Sequence, residues 1–237
     1  MPLKYGSTTV TVLKYGGTTV QTGKYGDTVV YTATKKMSDQ ITGLSTSIYG
    51  GTGKRLDFKW KCVSGFTSSY TAKVSGTLYS VAGVSSTINQ TYTQTGSTTE
   101  ITKSFNTSDN KAVRNFVGTI VFSCTGYDSY TYNANIAANL SDYITVTNIF
   151  RDPLNTAVIE FNSGINISYT ATSYIALYDN TGNPTYYDGV ATSHSGTNYE
   201  YKEFTTESGY DAAYITGYIY FEATGFNEYE CSIDRYF

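Results

Sequence analysis

The feature that most constrains the fold of this 237-residue chain is a match of the chain to itself at one constant offset. Three separated blocks align without a gap when the sequence is shifted by 99 residues. They are SGFTSSYTAKVSGTLY (64–79) with SGINISYTATSYIALY (163–178), KSFNT (103–107) with KEFTT (202–206), and GTIVFSCTGYDSY (118–130) with GYIYFEATGFNEY (217–229). One offset shared by three blocks indicates a tandem duplication. We therefore predict two domains of one fold, residues 37–139 and 140–237, after an N-terminal segment of residues 1–36.

Each copy has the pattern of β-strands separated by turn residues. RLDFKWKCV (55–63) alternates apolar and polar side chains, as a half-buried strand does, and AVIEFN (157–162) takes its place in the second copy. TIVFSC (119–124) and YIYFEA (218–223) are β-branched and aromatic runs that end at a Thr-Gly turn. No segment has a convincing helical periodicity. About seven strands in about 100 residues predict an immunoglobulin-like β-sandwich for each copy.

The three cysteines fit neither a disulfide framework nor a zinc site, because their number is odd and their spacing is wide. Cys62 and Cys124 could face each other across the first sandwich, but the second copy carries Phe161 and Ala223 at the corresponding places. Cys231 has no obvious partner. Reduced, buried thiols are the favoured interpretation, and a bridge between the first two cysteines is left open.

The N-terminal segment repeats Lys-Tyr-Gly at residues 4–6, 14–16 and 24–26. Each Gly with its neighbour suits a two-residue hairpin turn, and the Thr-, Val- and Tyr-rich runs between the turns predict a three- or four-stranded meander. A sheet this small is marginal alone, because nothing covers its apolar face. We therefore expect it to add strands to a partner. The predicted assembly interface consists of the side chains that recur at a fixed phase: Tyr5, Tyr15, Tyr25, Val10, Val20 and Val29.

These repeats resemble the short N-terminal K-Y/F-G/N-x-T-x-V repeats of virion proteins of tailed bacteriophages, especially phages of gut bacteria. In those proteins the repeats precede immunoglobulin-like or other β domains of the capsid surface or the tail. The resemblance covers residues 1–34 and the general layout, but not the duplicated domains. It implies a virion structural protein, such as a capsid auxiliary (decoration) protein, a head fibre or a tail component, present in many copies beside other virion proteins.

Composition and charge exclude several kinds of partner. The net charge of −3 and the isoelectric point near 5.2 provide no basic surface for nucleic acid or an anionic membrane. No stretch approaches the 18 apolar residues of a membrane-spanning helix. Met1 is followed directly by Pro2 and the repeats, without the apolar region of a signal peptide. We therefore expect synthesis in the host cytoplasm and location in the virion.

No motif predicts an enzyme, a cofactor site or a metal site. The only histidine, His194, falls in a predicted loop without a second His or Cys beside it. The alternating carboxylates Glu200, Glu203 and Glu207 are typical of exposed strand positions rather than of a catalytic pair flanking a cleft. DNTGNPTYYDG (179–189) offers oxygen ligands, but its spacing fits no EF-hand and favours a plain turn.

The 25 tyrosines allow two interpretations. Tyr is enriched in β-strands generally, whatever the function of the protein. It also suits protein interfaces and stacks on sugar rings. The predicted glycan or subunit contacts are Tyr186, Tyr187, Tyr199 and Tyr201. The resemblance of the repeats, together with the absence of a catalytic motif, implies a non-enzymatic virion protein that docks by its repeats and displays two immunoglobulin-like domains. The alternative is a tail component or an adhesin that binds a host-surface glycan.

Overall fold

The computed structural model describes most of the chain, namely residues 4–5, 8–9, 14–15, 18–20, 22–25, 28–32, 34–48, 55–197 and 199–237. The described residues form an all-β protein, as predicted, and contain two single-turn 3₁₀ helices but no α-helix.

The N-terminal repeats form three two-stranded antiparallel hairpins. Their strands are β1 (Lys4–Tyr5), β2 (Thr8–Thr9), β3 (Lys14–Tyr15), β4 (Thr18–Thr19), β5 (Thr22–Tyr25) and β6 (Thr28–Thr32). In each repeat the Tyr pairs with a Thr three residues later, which confirms the hairpin position. No ladder joins one hairpin to the next among the described residues, so the meander stays a prediction. Of the predicted interface, Val10 lies outside the described residues, only the backbone of the three tyrosines and Val29 is described, and Val20 is half-buried.

The first sandwich packs a three-stranded sheet, β12-β9-β8, against a larger sheet in which β10 lies between β11 and β13 and β13 pairs with β15 and β16. A 3₁₀ turn at Met37–Asp39 follows β7 and precedes β8. The strands are β7 (Lys35–Lys36), β8 (Ile41–Ile48), β9 (Arg55–Cys62), β10 (Ser69–Ser80), β11 (Ser85–Thr95), β12 (Ile101–Asn106), β13 (Val113–Ser123), β14 (Tyr127–Asp128), β15 (Tyr130–Asn133) and β16 (Ile136–Asn139).

The second sandwich repeats this arrangement, with sheets β17-β18-β21 and β20-β19-β22-β24, after a 3₁₀ turn at Leu140–Asp142. Its strands are β17 (Ile144–Arg151), β18 (Thr156–Ser163), β19 (Ile167–Asp179), β20 (Pro184–Gly196), β21 (Tyr199–Thr205), β22 (Ala212–Glu222), β23 (Phe226–Asn227) and β24 (Tyr229–Tyr236). Two separate clusters of buried side chains lie on either side of the predicted boundary at residues 139 and 140. The domain boundaries themselves stay predictions.

An aromatic triad lies at the same place in both cores. In the first sandwich Trp60 packs edge-on against Phe122, with ring centroids 5.5 Å apart, and its Nε1–H donates to the Tyr70 hydroxyl at 2.9 Å. The corresponding triad of the second sandwich is Phe161, Tyr169 and Phe221. Because phenylalanine has no N–H, the buried Tyr169 hydroxyl has no hydrogen-bond partner among the described residues.

We expect the same substitution to have opposite effects at these two equivalent tyrosines. Tyr70→Phe leaves the Trp60 N–H buried without its acceptor and should lower the unfolding free energy by about 1–3 kcal/mol. Tyr169→Phe removes an unpaired buried hydroxyl and should be neutral or raise that free energy by up to about 1 kcal/mol. Urea unfolding followed by circular dichroism checks both variants. Equal losses at the two positions would contradict the difference in hydrogen bonding.

The segment that precedes each sandwich is hydrogen-bonded to that sandwich's Thr-Gly hairpin. β7 pairs in parallel with β14, and β16 pairs in parallel with β23 through Ala138 opposite Phe226 and Asn139 opposite Asn227. The Asn227 side-chain amide also donates to the Ala137 carbonyl at 3.0 Å. Because β16 still pairs with β13 of the first sandwich, one segment is tied to both sandwiches without an intervening free loop.

The three cysteines, all within the described residues, are free thiols. The sequence alignment placed Phe161 opposite Cys62, and this was wrong. Cys62 pairs with Ile41 as Ser163 pairs with Ile144, so Ser163 is the equivalent residue. The loops around β9 and β18 differ in length, and the 99-residue offset therefore does not hold for this strand.

Candidate binding face of the second sandwich

The outer face of the four-stranded sheet of the second sandwich is rich in tyrosine. Side chains alternate along a strand, and on β19 the buried Ile175 and Leu177 point into the core, so Tyr174 and Tyr178 point outward. The same alternation applies to β20 and β22, which pair with β19, and to β24, which pairs with β22, and the register of these pairs aligns the outward residues. The tyrosine face consists of Tyr174, Tyr178, Tyr186, Tyr214, Tyr218, Tyr220 and Tyr236.

Ring contacts fix much of the tyrosine face in one arrangement. Tyr174 stacks on Tyr218 with ring centroids 4.9 Å apart, and Tyr214 stacks on Tyr236 at 4.2 Å. Tyr178 contacts Tyr214 at 5.7 Å. Each such pair contributes about 0.5–1.5 kcal/mol beyond area burial, so a ligand meets rings that are already ordered.

A groove of about 340 Å³ crosses the tyrosine face between β19, β20 and β22. Tyr174 and Tyr186 contribute aromatic walls, while Asp188 and Thr216 contribute polar groups. Gly217 lies in the groove with φ of +132°, and a Cβ there would lie 2.0 Å from the Tyr174 carbonyl oxygen. The close approach of β22 to β19 therefore requires glycine at this position.

The first sandwich provides an internal comparison, because its strands have the same order and register. At the equivalent positions its outer face carries one tyrosine, Tyr79, in place of Tyr178. The other six tyrosines are replaced by Ser75, Thr87, Asn115, Thr119, Val121 and Ala137. Since both faces belong to one fold, the general preference of strands for Tyr does not explain the difference.

The second sandwich is also strongly acidic. Residues 140–237 contain thirteen Asp and Glu against three Lys and Arg, a net charge of −10. Among them, Asp188, Glu222, Glu230 and Asp234 occupy outward positions of the sheet that carries the tyrosines. None of the outward positions of the four described strands holds a Lys or an Arg. A hydrogen bond from its hydroxyl to Glu228 raises the pKa of Tyr220 to about 12.

The four predicted contact tyrosines do not lie on one surface. Tyr186 is on the tyrosine face and 70% exposed. Tyr187, its neighbour, points to the other side, packs on Phe204 at 5.0 Å and donates to the Thr205 carbonyl at 2.6 Å. Tyr199 and Tyr201 are exposed on β21, in the opposite sheet. A period-two reading of SYIALY (173–178) and YITGYIY (214–220) would have found the other members of the tyrosine face except Tyr236.

His194 lies in β20 and not in a loop, which corrects the sequence prediction. Its Nδ1 is 3.1 Å from Glu200 Oε2, its Nε2 is 2.7 Å from the Thr192 hydroxyl, and its ring stacks on Tyr169. The imidazole is only 8% exposed. We interpret this cluster as polar packing that closes the edge of the sandwich between β20 and β21.

Lys202 points into the same edge of the sandwich. It is buried, and its ammonium donates to the carbonyls of Ala171 at 2.8 Å and Val190 at 2.7 Å. Burial lowers the pKa of Lys202 to about 8. An inward-pointing charge on an edge strand is a recognised protection against unwanted strand pairing.

We expect the stability contribution of Lys202 to rise with pH between about 8 and 10.5, its folded and unfolded pKa values. In this window the unfolded chain binds the proton that the folded chain has released, so raising the pH favours folding. Lys202→Met should remove this dependence. Urea unfolding at several pH values measures the difference between the variant and the unsubstituted chain, and a constant difference would contradict the assignment. Lys103→Met is the control, because Lys103 occupies the equivalent position, where its ammonium lies over the half-buried ring of Tyr92, 4.6 Å from the ring centroid.

The carboxylate of Asp179 accepts hydrogen bonds from the turn that follows it. Oδ1 accepts from the Thr181 hydroxyl and from two backbone N–H groups, and Oδ2 accepts from Ser208. These hydrogen bonds, that from Thr181 first, hold the pKa of Asp179 well below its usual range. Within the described ranges, no three His, Cys, Asp or Glu side chains cluster as a metal site would require.

Comparisons with known proteins leave the family open. No protein-family model and no curated protein matches the chain. A DUF4785 family protein from Legionella pneumophila aligns over 81% of this chain and 56% of its own, at 14% identity and a TM-score of 0.37. Red sea bream transglutaminase aligns over 81% of this chain and 31% of its own, at 12% identity and a TM-score of 0.38. The chain thus spans less than two thirds of either structure. In the part of the chain that the structure describes, no helix is long and apolar enough to cross a bilayer.

Proposed function

We propose that this chain is a non-enzymatic structural protein of a tailed-phage virion. Its N-terminal repeats dock onto the capsid, as in an auxiliary (decoration) protein or a head fibre, and its two sandwiches are displayed beyond the attachment point. The observation that carries this proposal is the connection between the sandwiches, in which β16 pairs with β13 on one side and with β23 on the other.

Such a connection suits a protein that must project or brace rather than bend. A flexible linker would leave its backbone groups to water, whereas here four residues preceding the second sandwich form a strand. The parallel pairing of β7 with β14 repeats the arrangement at the start of the first sandwich. The segments that precede the two sandwiches are therefore bound in the same way to the sandwich that follows each of them.

The charge of the N-terminal segment supports docking through that end. Residues 1–36 contain five Lys and one Asp, a net charge of +4, in contrast to the acidic second sandwich. A basic docking segment is attracted to an acidic lattice, and its binding weakens as salt is added. We therefore expect the partner surface to be acidic.

The second candidate function is that of a tail component or adhesin that binds host-surface carbohydrate. The tyrosine face favours it, because six of its seven rings are absent from the equivalent face of the first sandwich. The two candidates place different demands on the chain, since docking uses the repeats and adhesion uses the second sandwich.

Quantitative mass spectrometry of gradient-purified particles of the encoding phage tests the proposal. We expect the particle fraction to contain tens to hundreds of copies of the chain per particle, with the major capsid protein as the reference for the copy number. Such numbers are typical of a component of a symmetric lattice. Recovery only in the soluble fraction of the lysate would contradict a structural role. Recovery at the copy number of a tail protein would favour the second candidate.

A further inference from the structure

We propose that the groove on the tyrosine face binds an uncharged saccharide segment. This inference rests on the second candidate function, ligand binding by the second sandwich, and is independent of docking by the repeats. It assigns a ligand class and a position to that function.

The aromatic walls of the groove provide the apolar contact that sugar rings need. The C–H face of a pyranose ring is apolar and packs on aromatic rings, while its hydroxyls stay at the rim. Tyr186 is 70% exposed and therefore accessible, and the Tyr174 ring is already ordered by its stacking on Tyr218. Pre-ordered rings spare the ligand the cost of ordering them.

The polar groups of the groove match hydroxyls rather than anions. Asp188 can accept hydrogen bonds from sugar hydroxyls, and Thr216 can donate or accept them. Asp188 in the groove, and Asp234 directly opposite Thr216 on β24, repel phosphate, sulfate and carboxylate groups. The absence of Lys and Arg from the outward positions of the described strands leaves no partner for an anionic sugar. An uncharged glycan is therefore the favoured ligand class.

The first sandwich has neither the aromatic walls nor the carboxylate of the groove at the same positions. Ser75, Thr87, Asn89 and Val117 stand where the second sandwich has Tyr174, Tyr186, Asp188 and Thr216. Since the backbone positions are shared, the groove lining is a property of the side chains of one copy only. Its volume of about 340 Å³ lies at the lower end of ligand sites. A groove of this size, open on a sheet surface, suits a short stretch of a longer glycan.

Isothermal titration calorimetry of the full chain with four neutral hexasaccharides, built of glucose, mannose, galactose or N-acetylglucosamine, tests the inference. A heparin hexasaccharide is the anionic probe. We expect at least one neutral probe to bind and heparin not to bind. Tyr186→Ala should weaken binding by about tenfold, since it removes the exposed aromatic wall of the groove. Asp188→Asn should also weaken it.

Tyr199→Ala is the matched control, because Tyr199 is 68% exposed but lies on the opposite sheet. Its affinity should stay within about twofold of the unsubstituted chain. Failure of all four neutral probes at millimolar concentration would overturn the inference, as would binding of heparin alone. If a neutral probe binds but Tyr186→Ala and Tyr199→Ala behave alike, the site is wrong while the adhesin function stands. Particle docking without any sugar binding would overturn this inference and leave the structural proposal intact.

Discussion

Replacing Trp60 by alanine is expected to lower the unfolding free energy of the first sandwich by about 3–5 kcal/mol. Trp60 is fully buried, packs on Phe122 and donates to the Tyr70 hydroxyl. The substitution therefore opens a cavity and leaves a buried hydroxyl without its donor. Guanidinium unfolding followed by circular dichroism measures the loss. The loss of unfolding free energy should be confined to the first sandwich, because the second sandwich has its own core.

Phe161→Ala is the matched variant, since Phe161 occupies the equivalent place in the second core. Trp60 is the only tryptophan, so tryptophan fluorescence of this variant reports the first sandwich alone. We expect the fluorescence transition to stay in place while the circular dichroism shows an earlier loss. An equal shift of both signals would mean that the two cores unfold as one unit, against the description above.

Gly217→Ala is expected to destabilise the second sandwich by about 3 kcal/mol or more. The new Cβ would lie 2.0 Å from the Tyr174 carbonyl oxygen, and the backbone at φ of +132° is one that alanine rarely adopts. Relief of the clash requires β22 to move away from β19 beneath the tyrosine face. Thermal and urea unfolding measure the loss.

Gly182→Ala separates the steric clash of the new Cβ from the cost of a backbone with positive φ. Gly182 has φ of +87°, but nothing lies within 4 Å of the position of its Cβ. This variant should therefore carry only the cost of the left-handed backbone, about 1–2 kcal/mol. Equal losses at the two glycines would contradict the role of the close contact between β19 and β22.

The all-β fold could be predicted from the sequence because period-two alternation and turn residues are local signals. β9 shows this well, since Leu56, Phe58, Trp60 and Cys62 are all buried as their spacing predicts. His194 was misplaced because β20 is a polar edge strand with a bulge at Gly189, where the bulge and the exposed Ser and Thr hide the alternation.

The tyrosine face was harder to predict, because it depends on which strands are neighbours in one sheet. Tyr186 and Tyr187 are adjacent in sequence but point to opposite sides of β20. Tyr174, Tyr218 and Tyr186 are distant in sequence but meet through the pairing of β19 with β20 and β22. Selecting tyrosines by their density along the chain therefore mixed two surfaces.

The measurement that tests the central claim most directly is co-sedimentation of the chain with purified particles that lack it. Full-length chain and residues 35–237 are compared at low and high salt. Docking by the basic repeats predicts that only the full-length chain sediments with the particles, and that added salt weakens its binding. Equal binding of the two chains would contradict the account and would place the docking surface on the sandwiches.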